Sequence, residues 1–295
     1  MPHQTSIKVI SVLVAVIVIL SSVATTTGIF SDEGPGSYTF ESIRKRPVVI
    51  YGKGLYRDMS AEVAPQGIAQ DFVTLFLAIP LLVGSVIKYG KGSRRALFVL
   101  SGTLGYFMVT YVFYMVMAMY NAFFLLYVLL AGSSFYAFIL CLGRFDFSVM
   151  PAYFHPSYPA KATGFFLMFT SVAIALLWLS VIVPPLLDGS IIPVQAEHYT
   201  TLIVQGVDLA ILLPASFIIG SLCVRKQAAG LLLGPIYIIF LSLLMTALTA
   251  KVTAMALLGY NVIPVIFIIP LFNIISIILA FANIRSITQM RAANN

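Results

Sequence analysis

The chain has 295 residues, of which 60% are hydrophobic and only 9% are charged. Because soluble domains carry about 25% charged residues, this composition excludes a soluble globular protein, and its hydrophobicity excludes a disordered chain. The net charge of +7 does not indicate a nucleic-acid partner, since the basic residues lie mostly in short segments between apolar runs.

Eight apolar runs are each long enough to cross the hydrocarbon core of a bilayer, where backbone facing lipid has to be helical. They cover residues 7–29, 67–87, 96–119, 122–142, 164–186, 201–223, 229–254 and 261–284. The runs are continuously apolar, which excludes a membrane β-barrel with its alternating strands. The sequence therefore predicts an all-α fold, a polytopic membrane helical bundle with eight transmembrane helices.

The first run allows two interpretations. Lys8, the apolar stretch after it and the small residues Ser22-Val23-Ala24 resemble a signal peptide. The apolar character continues to Phe30, however, which is long enough to span a bilayer. We therefore expect a retained helix, with a cleaved leader as the alternative.

The loop of residues 31–66 is the only sizeable segment outside these runs. Residues 47–51 (Pro-Val-Val-Ile-Tyr) predict a short strand. Gly52-Lys53-Gly54 is interpreted as a turn, because it lacks the frame of a phosphate-binding loop. A protein partner, if the chain has one, is expected to bind this loop.

The basic residues of the short loops predict the orientation of the chain. One side of the membrane receives Lys8, Lys88, Lys91, Arg94, Arg95, Arg144, Lys161, Arg225, Lys226, Arg285 and Arg291. Both termini are therefore expected on the cytoplasmic side of the plasma (cell inner) membrane, and loop 31–66 on the outer side. A disulfide between Cys141 and Cys223 is not expected on the cytoplasmic side.

The second to fourth runs resemble the sixth to eighth. Each set begins with a helix that carries an aspartate and then a proline, Asp71 with Pro80 and Asp208 with Pro214, and these prolines are expected to break their helices. The sequence thus predicts a parallel 4+4 internal repeat. Its halves are residues 1–163, which include loop 31–66, and residues 164–295.

The polar residues inside the apolar runs are the candidate site, because charges in a membrane are costly. His198, Thr201, Gln205 and Asp208 recur at helical steps and are expected on one face of the sixth helix. Gln70 accompanies Asp71 on the second helix, and Lys251 lies near the outer end of the seventh. The two aspartates predict a polar cavity that is open to the outside and binds a cation or carries a proton.

A structural role is the alternative interpretation of the same residues. Asp208 would then pair with Lys251, and Asp71 with a loop arginine such as Arg57. Asn273 is expected to form an interhelical hydrogen bond. The inner tyrosines are expected to pack, and Trp178 carries no functional signal in the sequence. No motif for a nucleophile, a cofactor or haem is present, so no cofactor is predicted, whereas metal binding is left open.

Several segments resemble a set of prokaryotic multi-pass membrane proteins for which no activity is assigned. They are Gly54-Leu55-Tyr56-Arg57, Ala69-Gln70-Asp71-Phe72-Val73-Thr74-Leu75, Leu104-Gly105-Tyr106, Tyr120-Asn121, and the stretch from His198 to Gln205 followed by Asp208. The resemblance implies about eight helices and marks the two aspartate-bearing helix starts as signature segments. It implies no activity.

Three functional hypotheses follow. The first is a transporter or ion- or proton-coupled permease for a small cation or small molecule, with Asp71 and Asp208 at its site. The second is a non-catalytic membrane sensor or assembly subunit that binds a partner through loop 31–66. The third is an intramembrane enzyme, which the absence of a recognisable nucleophile disfavours.

Overall fold

The computed structural model describes residues 2–117 and 119–289, with side chains from residue 7 onwards. It confirms the eight long apolar helices, so the chain is a multi-pass membrane protein. In chain order they are α1 (Pro2–Phe30), α2 (Ala64–Gly90), α3 (Arg94–Val116), α4 (Phe124–Leu142), α5 (Ala160–Leu187), α6 (Ile203–Val224), α7 (Ala228–Leu257) and α8 (Val265–Ser286). Arg291, which was expected to follow the last helix, lies outside the described residues.

Two of these helices, α2 and α6, each contain a short π-helix. It covers Thr74–Ala78 in α2 and Asp208–Leu212 in α6. In both helices a proline is the second residue after it, Pro80 and Pro214. A proline ring clashes with the carbonyl four residues earlier, which here lies in the wider π turn. The expected breaks at the prolines are therefore local changes of helix type, and both helices continue.

The centre of the bundle is formed by α3 and α7. Their apolar windows are 78% and 67% buried, against 17% to 33% for the other six helices. At Gly102 of α3 a Cβ atom would lie 2.6 Å from Cγ2 of Ile239 in α7, so a larger residue would push these helices apart. The outer helices leave apolar side chains exposed around this pair, as expected for surfaces that face lipid.

Small and polar residues form further contacts between the helices. A Cβ atom at Gly164 of α5 would lie 2.5 Å from the carbonyl oxygen of Gly220 in α6, so the two backbones meet there. Thr246 of α7 donates a hydrogen bond of 3.1 Å to Oδ1 of Asn273 in α8. This bond confirms the interhelical role that was expected for Asn273.

The segment between α1 and α2, residues 31–63, forms a β-hairpin and a short 3-10 turn; we call it the hairpin segment. Strand β1 (Tyr38–Glu41) pairs antiparallel with β2 (Pro47–Ile50). The predicted strand is thereby confirmed, and β1 is a partner that the sequence analysis missed. Gly52 and Gly54 have φ values of 74° and 55°, which suit the predicted turn.

The hairpin segment is bound to the segment between α5 and α6. The guanidinium of Arg44 donates to the carbonyl oxygens of Glu197 and Tyr199, at 3.0 and 2.8 Å, and to that of Thr200 at 3.1 Å. We call this the hairpin end of the bundle. At the opposite, basic end, Arg95 donates at 2.8 Å to the carbonyl oxygen of Ile287.

Candidate functional site

Asp71 lies inside the bundle near the hairpin end and is only 1% exposed. The hydroxyl of Tyr56, from the hairpin segment, donates to its Oδ2 at 2.5 Å. The hydroxyl of Tyr114, from α3, lies 3.1 Å from its Oδ1. A loop and a neighbouring helix thus hold this carboxyl group through two phenols.

Two glycines make room for this arrangement. A Cβ atom at Gly28 of α1 would lie 2.0 Å from Oδ2 of Asp71. At Gly67, one turn before Asp71, it would lie 3.3 Å from Cζ of Tyr56. The bare backbone at Gly28 and Gly67 therefore lets the phenol of Tyr56 reach the carboxyl group between α1 and α2.

The phenol of Tyr56 stays protonated over the ordinary pH range. Burial raises the pKa of Tyr56 well above its usual value, and the neighbouring Asp71 carboxylate adds to the effect. Tyr56 is consequently a hydrogen-bond donor at neutral pH. Tyr114 was expected to pack, and no sequence pattern indicated Tyr56 or Tyr114 as a partner of Asp71.

Gln70 does not share the surroundings of Asp71, although it is adjacent in sequence. Its Nε2 donates to the hydroxyl of Tyr106 at 2.8 Å and to that of Thr110 at 3.2 Å. Thr74 lies 2.8 Å from the Tyr106 hydroxyl and donates to the Gln70 carbonyl oxygen at 2.9 Å. These bonds close a polar cluster between α2 and α3.

Asp208 occupies the first position of the π-helix in α6 and is half-buried. Nε1 of Trp178, from α5, donates to its Oδ2 at 2.9 Å. Trp178 is the single tryptophan of the chain. The sequence analysis assigned it no role, because the contact joins residues of two different helices and no spacing pattern reports it.

The predicted ion pairs of the two aspartates are wrong. Among the described residues, the one ion pair within 4.0 Å joins Arg57 to Asp58, at 3.5 Å. Asp71 therefore does not pair with Arg57, and Asp208 does not pair with Lys251. The physical reason is that neutral donors, two phenols and an indole N–H, already bind the carboxylates.

Lys251 lies on α7 and lines a cavity of ≈ 280 Å³ at the hairpin end. Glu62 and Gln66 line the same cavity, whereas neither Asp71 nor Asp208 does. Lys251 thus forms no direct ion pair with either aspartate.

The predicted polar stripe before and within α6 is wrong as a helix face. Helix α6 begins at Ile203, so His198 and Thr201 precede it. Arg44 binds the carbonyls of this stretch, and Glu197 has a φ of 44°, which is incompatible with a continuous α-helix. Nε2 of His198 lies 3.1 Å from the carbonyl oxygen of Asp58. Thr201 is exposed, and of the stripe only Gln205 shares α6 with Asp208.

Glu62 and Glu197 are acidic neighbours at the hairpin end. Burial raises the pKa of Glu62, and the nearby charge of Glu197 raises it further. Within residues 2–117 and 119–289, no three histidine, cysteine or acidic residues are grouped so as to hold a metal ion.

Comparison with protein-family models, with curated proteins and with solved structures gives no match for this chain.

Proposed function

We propose that the protein is a transporter, an ion- or proton-coupled permease whose coupling residues are Asp71 and Asp208. The observation that carries the proposal is the enclosed carboxyl group of Asp71, which has phenolic donors and no ion pair within 4.0 Å among the described residues. An ionisable group inside a membrane helix is costly, and such groups commonly serve ion or proton pathways.

The surroundings of Asp71 tolerate a change of protonation. Tyr114 has one hydroxyl proton but two acceptors, Oδ1 of Asp71 and the carbonyl oxygen of Gly67, each at 3.1 Å. When Asp71 is ionised, Tyr114 donates to the carboxylate. When Asp71 is protonated, Tyr114 turns to Gly67. Rotation of this hydroxyl therefore keeps Tyr114 hydrogen-bonded in either protonation state of Asp71.

We further propose the parallel 4+4 repeat, in a register set by the π-helices. One constant shift along the sequence carries Thr74–Ala78 onto Asp208–Leu212, Ile79–Gly90 onto Leu213–Val224, and the start of α3 onto that of α7. In this register Thr74 corresponds to Asp208, and Asp71 to Gln205. The acids then lie one turn apart in the two halves, residues 1–163 and 164–295, rather than at equivalent positions.

The proposed setting is the plasma (cell inner) membrane with both termini in the cytoplasm. The basic residues gathered in the loops opposite the hairpin support this orientation. The hairpin end, with the Lys251 cavity, would then face the outside, where a transporter meets an external solute.

Flux measurements in proteoliposomes test the transport proposal. The lumen contains a pH-sensitive dye, and a mixture of amino acids, organic acids and sugars is added outside, with and without labelled sodium. We expect solute-dependent proton or sodium flux from the native chain, and its loss in Asp71→Asn and Asp208→Asn. The matched control is Asp146→Asn, because Asp146 bonds only to nearby Ser148 at the protein surface. Native-like flux in both site variants would refute the proposal.

An assembly or sensor subunit is the second candidate. The hairpin segment leaves apolar side chains exposed outside the helices, with Ile43 at 90% and Val49 at 52% exposure. Cross-linking from residue 43 in native membranes tests it. A specific cross-linked protein that is lost in Ile43→Ser supports a subunit, whereas cross-links to lipid alone argue against one.

A further inference from the structure

The Lys251 cavity brings together a basic and an acidic side chain that are not paired with each other. It opens at the hairpin end between the start of α2, the end of α7 and the connection to α8. Its polar lining comprises Glu62, Gln66, Lys251, Tyr260 and Asn261. Apolar walls complete it, among them Met255 and Val265.

The Lys251 ammonium has no hydrogen bond and no acidic group within 4.0 Å among the described residues. An ammonium near the end of a membrane helix is less favourable without an acidic group in direct contact than with one. A ligand that enters the cavity can contact the Lys251 ammonium. A ligand anion there would supply the missing partner.

Glu62 presents the opposite charge to the same cavity. It is not within 4.0 Å of Lys251, so the two charges stay separate across the cavity. Partial burial raises the pKa of Glu62, and the charge of another acid, Glu197, raises it further. A ligand cation beside Glu62 would relieve that repulsion.

The amide side chains of Gln66 and Asn261 add further hydrogen-bonding groups to the cavity. Nε2 of Gln66 donates a hydrogen bond of 3.1 Å to the Glu62 carbonyl oxygen, which leaves Oε1 of Gln66 as an acceptor for a ligand. Oδ1 of Asn261 accepts from the Ile263 backbone N–H at 3.2 Å, which leaves its Nδ2 as a donor. The cavity therefore offers two acceptors in Glu62 and Gln66, and two donors in Lys251 and Asn261.

We propose that this cavity binds a small zwitterion of the amino-acid type. The ligand carboxylate lies against Lys251 and Asn261, and the ligand ammonium against Glu62 and Gln66. The volume of ≈ 280 Å³ is just below the range of about 300–1,000 Å³ of drug-sized ligand sites, which suits a small metabolite. The proposal rests on the proposed transport function only where it identifies this ligand as the transported solute. Binding of the ligand can be measured without flux.

Calorimetric binding to the purified full chain in detergent tests the proposal. The probes are the twenty standard amino acids, followed by the deamino and decarboxy analogues of the tightest one. We expect at least one amino acid to bind with a Kd below about 10 mM, and each analogue to bind at least about tenfold more weakly, because each has lost one charged contact. No binding by any amino acid, or equal binding of both analogues and the parent, would overturn the proposal.

Two charge variants locate the binding site. Lys251→Met is expected to weaken the amino acid and its deamino analogue about tenfold and leave the decarboxy analogue unchanged, and Glu62→Gln to do the reverse. Lys161→Met and Glu33→Gln are the matched controls, because they remove the same charges outside the cavity. Native affinity in Lys251→Met would overturn the assignment.

Val262→Trp guards against a folding artefact. It fills the cavity without removing a charge, so it should abolish binding while thermal unfolding shows a folded protein. Retained binding in this variant would overturn the assignment to this cavity. Amino-acid binding without flux would refute only the proposed transport function. Flux without amino-acid binding would refute only the proposed ligand class.

Discussion

The phenol of Tyr56 in the hairpin segment donates a 2.5 Å hydrogen bond to the carboxyl group of Asp71 inside α2. This bond ties a segment outside the membrane helices to the most enclosed acid of the candidate site. A movement that separates the hairpin segment from α2 at this point would break the bond.

Removing this hydroxyl should destabilise the protein. Tyr56→Phe leaves one oxygen of a buried carboxyl group without its donor, which costs about 1–3 kcal/mol. Thermal and denaturant unfolding in detergent measures the loss. Tyr38→Phe is the matched control, because Tyr38 is exposed on β1. Equal stability of Tyr56→Phe and the native chain would show that the bond contributes nothing.

Gly28 should tolerate no side chain. In Gly28→Ala the new Cβ atom would lie 2.0 Å from Oδ2 of Asp71, so the helices or the carboxyl group have to move, at a cost of about 1–3 kcal/mol. A lower unfolding temperature reports the effect. Gly84→Ala is the control, since nothing lies within 4 Å of its Cβ position. If both variants unfold at the same temperature, the close contact between α1 and Asp71 is wrong.

The fluorescence of Trp178 should report the state of Asp208. Because Trp178 is the single tryptophan and its Nε1 donates to Asp208 at 2.9 Å, the emission spectrum is a direct probe of this contact. Asp208→Asn replaces a charged acceptor with a weaker neutral one, so we expect a shifted emission maximum. Asp188→Asn, which alters an exposed loop acid, should leave the spectrum unchanged. Identical spectra for Asp208→Asn and the native chain would contradict the contact.

The raised pKa of Glu62 predicts that the stability of the protein depends on pH. Its pKa is raised in the folded protein, first by burial and then by Glu197, so folding disfavours its ionised form. This stability is present below the ordinary glutamate pKa of about 4.3 and is lost as the pH rises through the raised value. Glu62→Gln should therefore stabilise the protein at pH 7 relative to the native chain, with a smaller difference at pH 4. Unfolding at the two pH values measures it, and an equal difference at both would contradict the shift.

The eight helices could be predicted from sequence because a bilayer imposes a minimum length of continuous apolar residues. Their ends were less accurate: α5 begins at Ala160 rather than near residue 164. The predicted helical stripe that begins at His198 was wrong for a tertiary reason, because Arg44 binds the carbonyl oxygens of Tyr199 and Thr200 within it. A contact between distant segments leaves no periodic signal in a single sequence.

The candidate site was predictable only in part. Asp71 and Asp208 stand out because acids are rare in apolar runs. Their partners Tyr56, Tyr114 and Trp178 do not, because aromatic residues are common throughout such a chain and the pairing depends on helix packing. A glycine within an apolar run, such as Gly28, is the sequence feature that indicates where the side chain of a neighbouring helix packs against the backbone.

The central claim is that the carboxyl group of Asp71 couples ion movement to solute transport. Solute-driven proton and sodium flux in proteoliposomes, compared between Asp71→Asn and Asp146→Asn, tests it most directly. The account predicts that Asp71→Asn abolishes the flux while Asp146→Asn retains it. Flux of native magnitude in a correctly folded Asp71→Asn protein would contradict it.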